Sequence, residues 1–531
     1  MNGTLARPAS VAITAILAGA MLSGCGGAGQ SYDQSTSNSP GFRAIPTGET
    51  AAQGKMRASR RVKISALVAA LAVHPSRVGP TVHGDMLGAD VCVTYNLTQS
   101  GVAQAFINAG VTTTRFPGGC QVDLWHWKTG TDGPGRCSRS ANPHSTWRNF
   151  VNDVTLPAHL NVSLGVNYGS NKTCTAGGDP TEAAAWVSAA PARHWWTVGD
   201  EQYYAGNPGA NALDLHRPAA GQTSCPGNPV CYAYYERAFY NDMHAAATQN
   251  INVCIDGFPQ QHSGAWDAVV LANARYDCSE IHFYPEIEGQ GNDDTLLQNG
   301  AGLFDAFIKT EQAHLATAGR PNVPLFVAEV NRQSNTPGPE SIVEGLFAAN
   351  VMATAMDDGV ARLTWHSTFS DCDYPVPNQP NVYPPWLHWG TSGMFSGQNS
   401  NCSSMQPPLG TLLAVGNSFL VLSSYVHPGE HTLRTTKTGD VDVAGYAETY
   451  GRGYQVLLIN RRRTSSDKVT VSIDGKTSGS GGQIVYYDKA TFDQTQHGIY
   501  AGPTYSSLAP WTGNFTVTLT PWSVTSIQVD Q

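Results

Sequence analysis

The chain has 531 residues, too many for one ordinary domain. Only 13% of them are charged, where about a quarter is typical; Gly, Ser, Thr, Asn and aromatic residues fill the difference. A net charge of -9 without a basic stripe argues against nucleic acid as a partner.

At the N-terminus Arg7 precedes the apolar run Val11 to Met21, which is too short for a permanent bilayer span and reads as the core of a signal peptide. Leu22, Ser23, Gly24 and Cys25 resemble a bacterial lipobox, which implies lipidation of Cys25 and a membrane anchor for the exported protein. Gly26 rather than Asp follows the cysteine, so the outer membrane, cell surface or periplasm is the expected location. Residues 1–25 are thus the signal segment. Residues 26–60, rich in Gly, Ser, Thr and Gln without apolar periodicity, form a flexible tether.

Residues 61–80 are expected to supply an N-terminal strand, running from Arg61, to a later β-sandwich. Strand-like and helix-like segments then alternate over residues 81–425. Thr81 to Met86 begins strand one, Val111 to Phe116 is strand two, Asn161 to Asn167 strand three and Trp195 to Gly199 strand four. Ile251 to Ile255 is strand five, Glu280 to Tyr284 strand six, Pro324 to Ala328 strand seven and Ala361 to Trp365 strand eight. Helical patterns occupy Thr181 to Ala190, after the capping pair Asp179 and Pro180, then Tyr232 to Gln249, Leu296 to Ala318 and Ser341 to Asp358. Eight such alternations predict an α/β fold, a (β/α)8 TIM barrel. From 426 to 531 short strands follow one another without helices, as in an all-β sandwich: Tyr454 to Ile459, Lys468 to Ile473, Gln483 to Tyr487 and Asn514 to Leu519.

Setting Cys25 aside leaves ten of the eleven cysteines, an even number that suits disulfides in an oxidising compartment and matches no zinc module. Local loops Cys120–Cys137, Cys225–Cys231 and Cys372–Cys402 are plausible pairs. Arg461, Arg462 and Arg463 read as a solvated turn, and Asp357 and Asp358 as an exposed helix end.

Two glutamates carry the functional reading. Glu201 ends the run from His194, and Glu329 ends the run from Val323; each places a charge at the tail of a buried strand. Barrel chemistry sits where strands end on the C-terminal face. Two carboxylates there are what retaining glycoside hydrolysis requires: one protonates the leaving oxygen, the other attacks the anomeric carbon. The non-catalytic alternative is a buried carboxylate paired with an arginine such as Arg115.

The surrounding motifs narrow this further. Gly199, Asp200 and Glu201 after strand four, with Glu329 after strand seven, resemble the clan A glycoside hydrolases. Thr114-Arg115-Phe116-Pro117-Gly118-Gly119 resembles a motif after strand two in the α-L-arabinofuranosidase and β-glucuronidase/heparanase families. His282-Phe283-Tyr284 resembles their strand-six motif, and Leu519 to Ile527 the last strand of their accessory sandwich. The resemblance implies that Glu201 is the acid/base, Glu329 the nucleophile and Tyr284 a hydrogen-bond donor to it, with His282 on the same face and Arg115 keeping Glu329 ionised. Trp195 or Trp196 would supply a dry setting for Glu201. One position departs from the pattern: the clan usually places Asn, a donor to the sugar 2-hydroxyl, where this chain has Asp200. An ionised Asp could accept but not donate there.

Trp125, Trp127, Trp365, Trp386 and Trp389 fall in or beside loops after strands two and eight and are candidate sugar platforms, with core packing as the alternative. Asn167, ending strand three, joins them as a substrate-binding candidate. The expectation is a lipid-anchored retaining glycoside hydrolase acting on polysaccharide or oligosaccharide without a metal or organic cofactor. An arabinofuranosidase-like activity comes first and a β-glucuronidase-like one second. A surface glycan-binding lipoprotein that has lost turnover is the reading from another class.

Overall fold

The computed structural model describes residues 69–139, 141–207, 212–259, 265–286, 291–332, 341–370, 393–397, 407–495 and 499–531. Cys25 and the rest of the signal segment, the tether, residues 61–68, and Cys372, Cys402, Trp386 and Trp389 lie outside them.

Eight parallel strands close into a barrel in chain order. They are Asp85–Asp90, Thr113–Phe116, Asn161–Val166, Trp195–Val198, Asn252–Asp256, Cys278–Phe283, Leu325–Val330 and Arg362–Trp365, called strands one to eight below. Strand eight pairs with strand one to complete the ring. Each strand is followed by helix, including Pro180–Ala189, Pro229–Ala246, Ala265–Asn273, Asp293–Thr317, Ser341–Asp357 and Ala414–Ser423. The starts are capped as their sequences suggest: Asp179 accepts from the Thr181 amide ahead of a helix beginning at Pro180, and Asn228 accepts from Val230 and Cys231.

The period of two along each strand sorts the interior. Leu325, Val327, Leu363 and Trp365 face the helices and join the main core, whereas Trp195, Cys254, Cys278, Phe326 and Ala328 form a separate cluster inside the barrel. Arg362 lies over the rings of Trp195 and Phe326 and pairs with Asp85 at 2.9 Å, capping the lower end of that cluster.

A second, largely antiparallel sheet has nine strands. Strands from both of its edges, Thr504–Leu508 and Phe515–Leu519, place Leu508, Phe515, Val517 and Leu519 in one core with Val456, Leu458, Val469 and Ile527, so the sheet folds over itself as a sandwich. Its outer face, with Leu457, Ile459, Tyr487, Trp522 and Val524, packs into the main core. Ala69–Thr81 runs antiparallel to His431–Thr438 and parallel to Asp467–Ile473.

Several expectations need correction. Strand one starts at Asp85, not Thr81, because Thr81 still pairs with His431 in the sandwich across two register shifts that lengthen that strand. Cys137 bonds to Cys174 rather than Cys120, joining the loops after strands two and three. Cys225–Cys231 is present, and Cys254–Cys278 ties two neighbouring barrel strands whose register sets those cysteines side by side. The arginine run is no solvated turn. Arg461 donates to the Leu297 carbonyl of a barrel helix, Arg462 pairs with Asp440, Asp442 and Asp467, and Arg463 lies over Trp522. Asp357 and Asp358 are half-buried, and burial raises their carboxyls to about 6 and about 7.

Candidate active site

The C-terminal ends of the barrel strands converge on Arg115, the third residue of strand two, whose side chain is wholly buried. Its Nη1 donates to Glu329 Oε1 at 2.8 Å. Its Nη2 donates to Glu280 Oε1 at 2.7 Å and to Asp200 Oδ1, and Asp90 Oδ1 lies 3.6 Å from Nη1. One guanidinium thus meets carboxylates from strands one, six and seven and from the turn after strand four. Burial alone would lower its affinity for a proton, but those four acids outweigh it and lock the cation in.

The motif that begins at Thr114 has a local reason. A side chain on Gly118 would strike the Asp90 carboxylate, 2.0 Å from where its Cβ would stand, and Gly119 has φ 68°. The two glycines therefore let the chain turn tightly against an acid beneath Arg115.

Glu329 is the next-to-last residue of strand seven and is 2% exposed. Besides Arg115, Tyr284 donates to its Oε2 at 2.6 Å, and His366 Nδ1 lies 3.8 Å from Oε1. Burial pushes this carboxyl upward, yet His282, His366, Arg115 and the tyrosine hydroxyl overcome it and hold Glu329 well below the usual carboxylate range. It is an anion at any ordinary pH.

Glu201 follows strand four in the left-handed region, φ 49°, after Gly199 at φ 85°. That turn is pinned from below: Asp256 Oδ2 accepts from the Gln202 amide at 2.9 Å, and Gln202 Nε2 donates to Asp123 at 2.6 Å. Glu201 Oε1 accepts from the Tyr203 hydroxyl at 3.3 Å and from His282 Nδ1 at 3.1 Å. The same nitrogen stands 3.6 Å from Glu329 Oε2. The two glutamate oxygens are therefore at most about 6.7 Å apart, the sum of those two distances, within reach of the ~5–5.5 Å of a retaining pair.

His282 also donates from Nε2 to Glu280 Oε1 at 3.2 Å. Burial opposes its charge, but Glu329, Glu201 and Glu280 raise it well above the ordinary histidine range, so it is an imidazolium. Asp200 moves the other way from Glu329: burial and the charges of Glu329 and Glu201 lift its carboxyl well up despite Arg115 and His282. Asp200, His282 and Glu329 offer ligand atoms within 4.8 Å of one another, as a metal would need. Arg115 and the His282 proton already supply positive charge there, and an ion would have to displace that proton.

The structure thus brings together Arg115, Asp200, Glu201, His282, Tyr284 and Glu329. It does not bring in the others. Trp365 points outward and meets Phe347 of the helix Ser341–Asp357, edge to face at 6.1 Å. Trp125 is buried among Phe116 and Trp186. Asn167 is spent on its own loop, donating to the Trp125 carbonyl and accepting from the Ser170 amide. Trp195 lies in the lower barrel and Trp196 stacks edge-on to Trp186, whereas Tyr203 and His282 hydrogen-bond Glu201.

Four members escape the sequence reading: Asp90, Glu280, Asp256 and His366, which donates to Asp90 Oδ2 at 2.6 Å. Asp90 and Asp256 carry the same signal as Glu201, an acid closing an apolar strand. Glu280 is a charge in the middle of one.

No protein-family model matches the chain, and no curated protein matches it. Solved structures do. The family 51 arabinofuranosidase from Xanthomonas axonopodis pv. citri is 15% identical with a TM-score of 0.62 over 87% of this chain and 100% of that one. The α-L-arabinofuranosidase from Thermotoga maritima, solved with arabinose, is 13% identical with a TM-score of 0.63 over the same shares. A Paenibacillus polymyxa xyloglucanase of glycoside hydrolase family 44 is 10% identical with a TM-score of 0.57, again over 87% and 100%. What the chain shares with them at these identities is the barrel with its sandwich.

Proposed function

We propose that the protein is a retaining glycoside hydrolase, with Glu329 as nucleophile and Glu201 as acid/base. The observation that carries this is the single nitrogen His282 Nδ1 facing both glutamates, at 3.1 and 3.6 Å, in the mouth of the barrel. Glu329, held ionised, attacks the anomeric carbon while Glu201 protonates the departing oxygen. Water, activated by Glu201, then releases the sugar. The similar structures, arabinofuranosidases and a xyloglucanase by description, support a plant-type polysaccharide or its oligosaccharides as substrate.

Charge favours a neutral sugar over a uronic acid. Asp90, Asp200, Glu201, Glu280 and Glu329 line the mouth, and Arg115 is engaged with four of them. The segments after strands one, five, six and eight contain no Lys or Arg; Lys128, Arg136, Arg139, Lys172 and Arg217, after strands two to four, are ion-paired with none of those five acids, and Arg332, after strand seven, is paired with Glu286 and Asp293. A uronate carboxylate would enter an acidic site short of spare cations. The α-L-arabinofuranosidase-like reading therefore stands ahead of the β-glucuronidase-like one. The lipobox at Cys25 supports an exported, lipid-anchored protein, and three disulfides fit an oxidising compartment.

The test is hydrolysis of aryl arabinofuranoside, xyloside, glucoside and glucuronide by wild type, Glu201→Ala and Glu329→Ala. Turnover of a neutral glycoside that Glu329→Ala abolishes and Glu201→Ala slows is expected. Hydrolysis of the glucuronide alone would reverse the order of the two readings. Binding of glycans without hydrolysis of any, unchanged in Glu329→Ala, would leave a glycan-binding protein.

A further inference from the structure

A second polar cluster lies on the flank of the barrel, between the helices Ala265–Asn273 and Asp293–Thr317. Asp267 comes from the first helix. Glu311 and His314 come from the second, at the i, i+3 spacing that puts two side chains on one helix face. Each of the three offers a ligand atom, and these atoms lie within 4.8 Å of one another. His314 Nδ1 is 2.8 Å from Asp267 Oδ2 and 3.8 Å from Glu311 Oε2.

The other oxygen of each carboxylate is held from behind. The Phe258 amide donates to Asp267 Oδ1 at 2.6 Å, and the Ser279 hydroxyl donates to Glu311 Oε1 at 2.7 Å. Gly257 makes room for the second of these bonds: a Cβ there would stand 2.6 Å from Ser279 Oγ and 2.8 Å from Glu311 Oε1. Glu311 Oε2 is left open. The residue is 0% exposed, and this oxygen accepts no hydrogen bond. Among the described residues no Lys or Arg pairs with either acid, whereas in the mouth Arg115 fills that role. A cavity of about 410 Å³, lined by Asp267, Leu271, His314 and Thr317 among others, adjoins the cluster.

We propose that Asp267, Glu311 and His314 bind a Zn²⁺ ion, with water from the cavity completing its coordination. One imidazole nitrogen with two carboxylate oxygens suits Zn²⁺, whereas Ca²⁺ and Mg²⁺ favour oxygen alone. Tetrahedral Zn²⁺ with bonds of about 2.1 Å spaces its ligands about 3.4 Å apart, between the two distances from His314 Nδ1. A Glu-x-x-His pair on one helix, completed by a carboxylate from another, is a recurrent way for packed helices to hold metal ions. On binding, the proton between His314 Nδ1 and Asp267 makes way for the ion, and Nδ1 becomes a lone-pair donor. Without metal the two acids can only share a proton. Among the described residues no hydrogen bond or ion pair joins this cluster to Glu201 or Glu329, so the ion ties two helices together and takes no part in the chemistry of the mouth.

The test uses untagged protein, stripped with a chelator, dialysed and titrated with ZnCl₂ by calorimetry, with the melting temperature read in parallel. Wild type should take up one Zn²⁺ per chain, and its melting temperature should climb with Zn²⁺ concentration. Ser279→Ala, which releases Glu311 Oε1, should weaken uptake about 10–100-fold, the usual cost of losing a residue that orients a ligand. His314→Gln should weaken it further. Glu311→Gln keeps the shape of the side chain; stripped of metal it should melt no lower than wild type, and Zn²⁺ should raise wild type but not the variant. No uptake by wild type would overturn the proposal, as would equal uptake by all three variants. So would uptake that survives in His314→Gln and Glu311→Gln but is lost in Glu329→Gln, which would put the ion in the mouth.

Discussion

Two buried acid clusters sit on opposite sides of the barrel wall, and only one has the marks of a reaction centre. On the flank, between the helices Ala265–Asn273 and Asp293–Thr317, Asp267 accepts from the Phe258 amide at 2.6 Å and from His314 at 2.8 Å. Glu311 beside it accepts from Ser279 at 2.7 Å. Burial raises both carboxyls, and the charge of Asp267 pushes Glu311 up further, so both move the same way. In the mouth, burial is just as complete, but a fixed guanidinium, an imidazolium and a phenol single out Glu329 and drive it down while Asp200 and Asp90 go up. Neighbouring groups whose proton affinities are pushed apart can divide the roles of anion and acid; groups pushed the same way can only share a proton.

Substitutions on the two sides should separate them. Glu329→Gln is expected to lower kcat by at least about 10⁴-fold, since removing a nucleophile removes the covalent route. Residual activity near wild type in purified, folded protein would move the centre elsewhere. Glu201→Ala should lower kcat/KM roughly 10²–10⁴-fold on glycosides with poor leaving groups and much less on activated aryl glycosides, which depart without a proton. Equal losses on both would remove Glu201 from the acid role. Arg115→Met leaves several buried acids without their cation and should lower unfolding free energy by about 3–5 kcal/mol in denaturant titrations. A stable variant would mean that protons already balance the mouth.

The smallest effect on turnover belongs to the flank. Glu311→Gln should leave kcat/KM within about twofold and raise the melting temperature by a few degrees above neutral pH. The sign follows from the raised Glu311 carboxyl. The folded state holds a proton that the unfolded chain gives up, so wild-type stability falls as pH climbs from the ordinary carboxylate range through the raised value. The glutamine variant should show a shallower fall. If it lost activity instead, the two clusters would not be the independent units described here.

Much of this was legible in the chain itself, for a physical reason. Buried parallel strands must be apolar throughout, so a charge that ends one, as at Glu201 or Glu329, is conspicuous without any structure. The strands and longer helices were readable from the same runs. Less visible was what only barrel closure produces. Glu280 meets Arg115 because strand six faces strand two across the interior, a relation with no local signature. Trp365 misleads because its loop-side position in sequence hides the two-residue period that turns it toward Phe347. Cys137 lies nearer in sequence to Cys120 than to its partner Cys174, because disulfides follow the packing of loops after neighbouring strands. The extra pairing of Thr81 with His431 likewise depends on a strand contributed from the far end of the chain.

The central claim is that Glu329 forms a bond to sugar. The most direct measurement is intact-protein and peptide mass spectrometry of Glu201→Ala after mixing with an activated aryl glycoside of the neutral sugar that wild type prefers. Without its acid/base the variant can form the glycosyl-enzyme on such a substrate but hydrolyses it slowly. The account predicts a mass increase of one glycosyl unit, located on the peptide that carries Glu329 and absent from the double variant with Glu329→Gln. Release of the phenol with no covalent adduct, or an adduct on another residue, would contradict it.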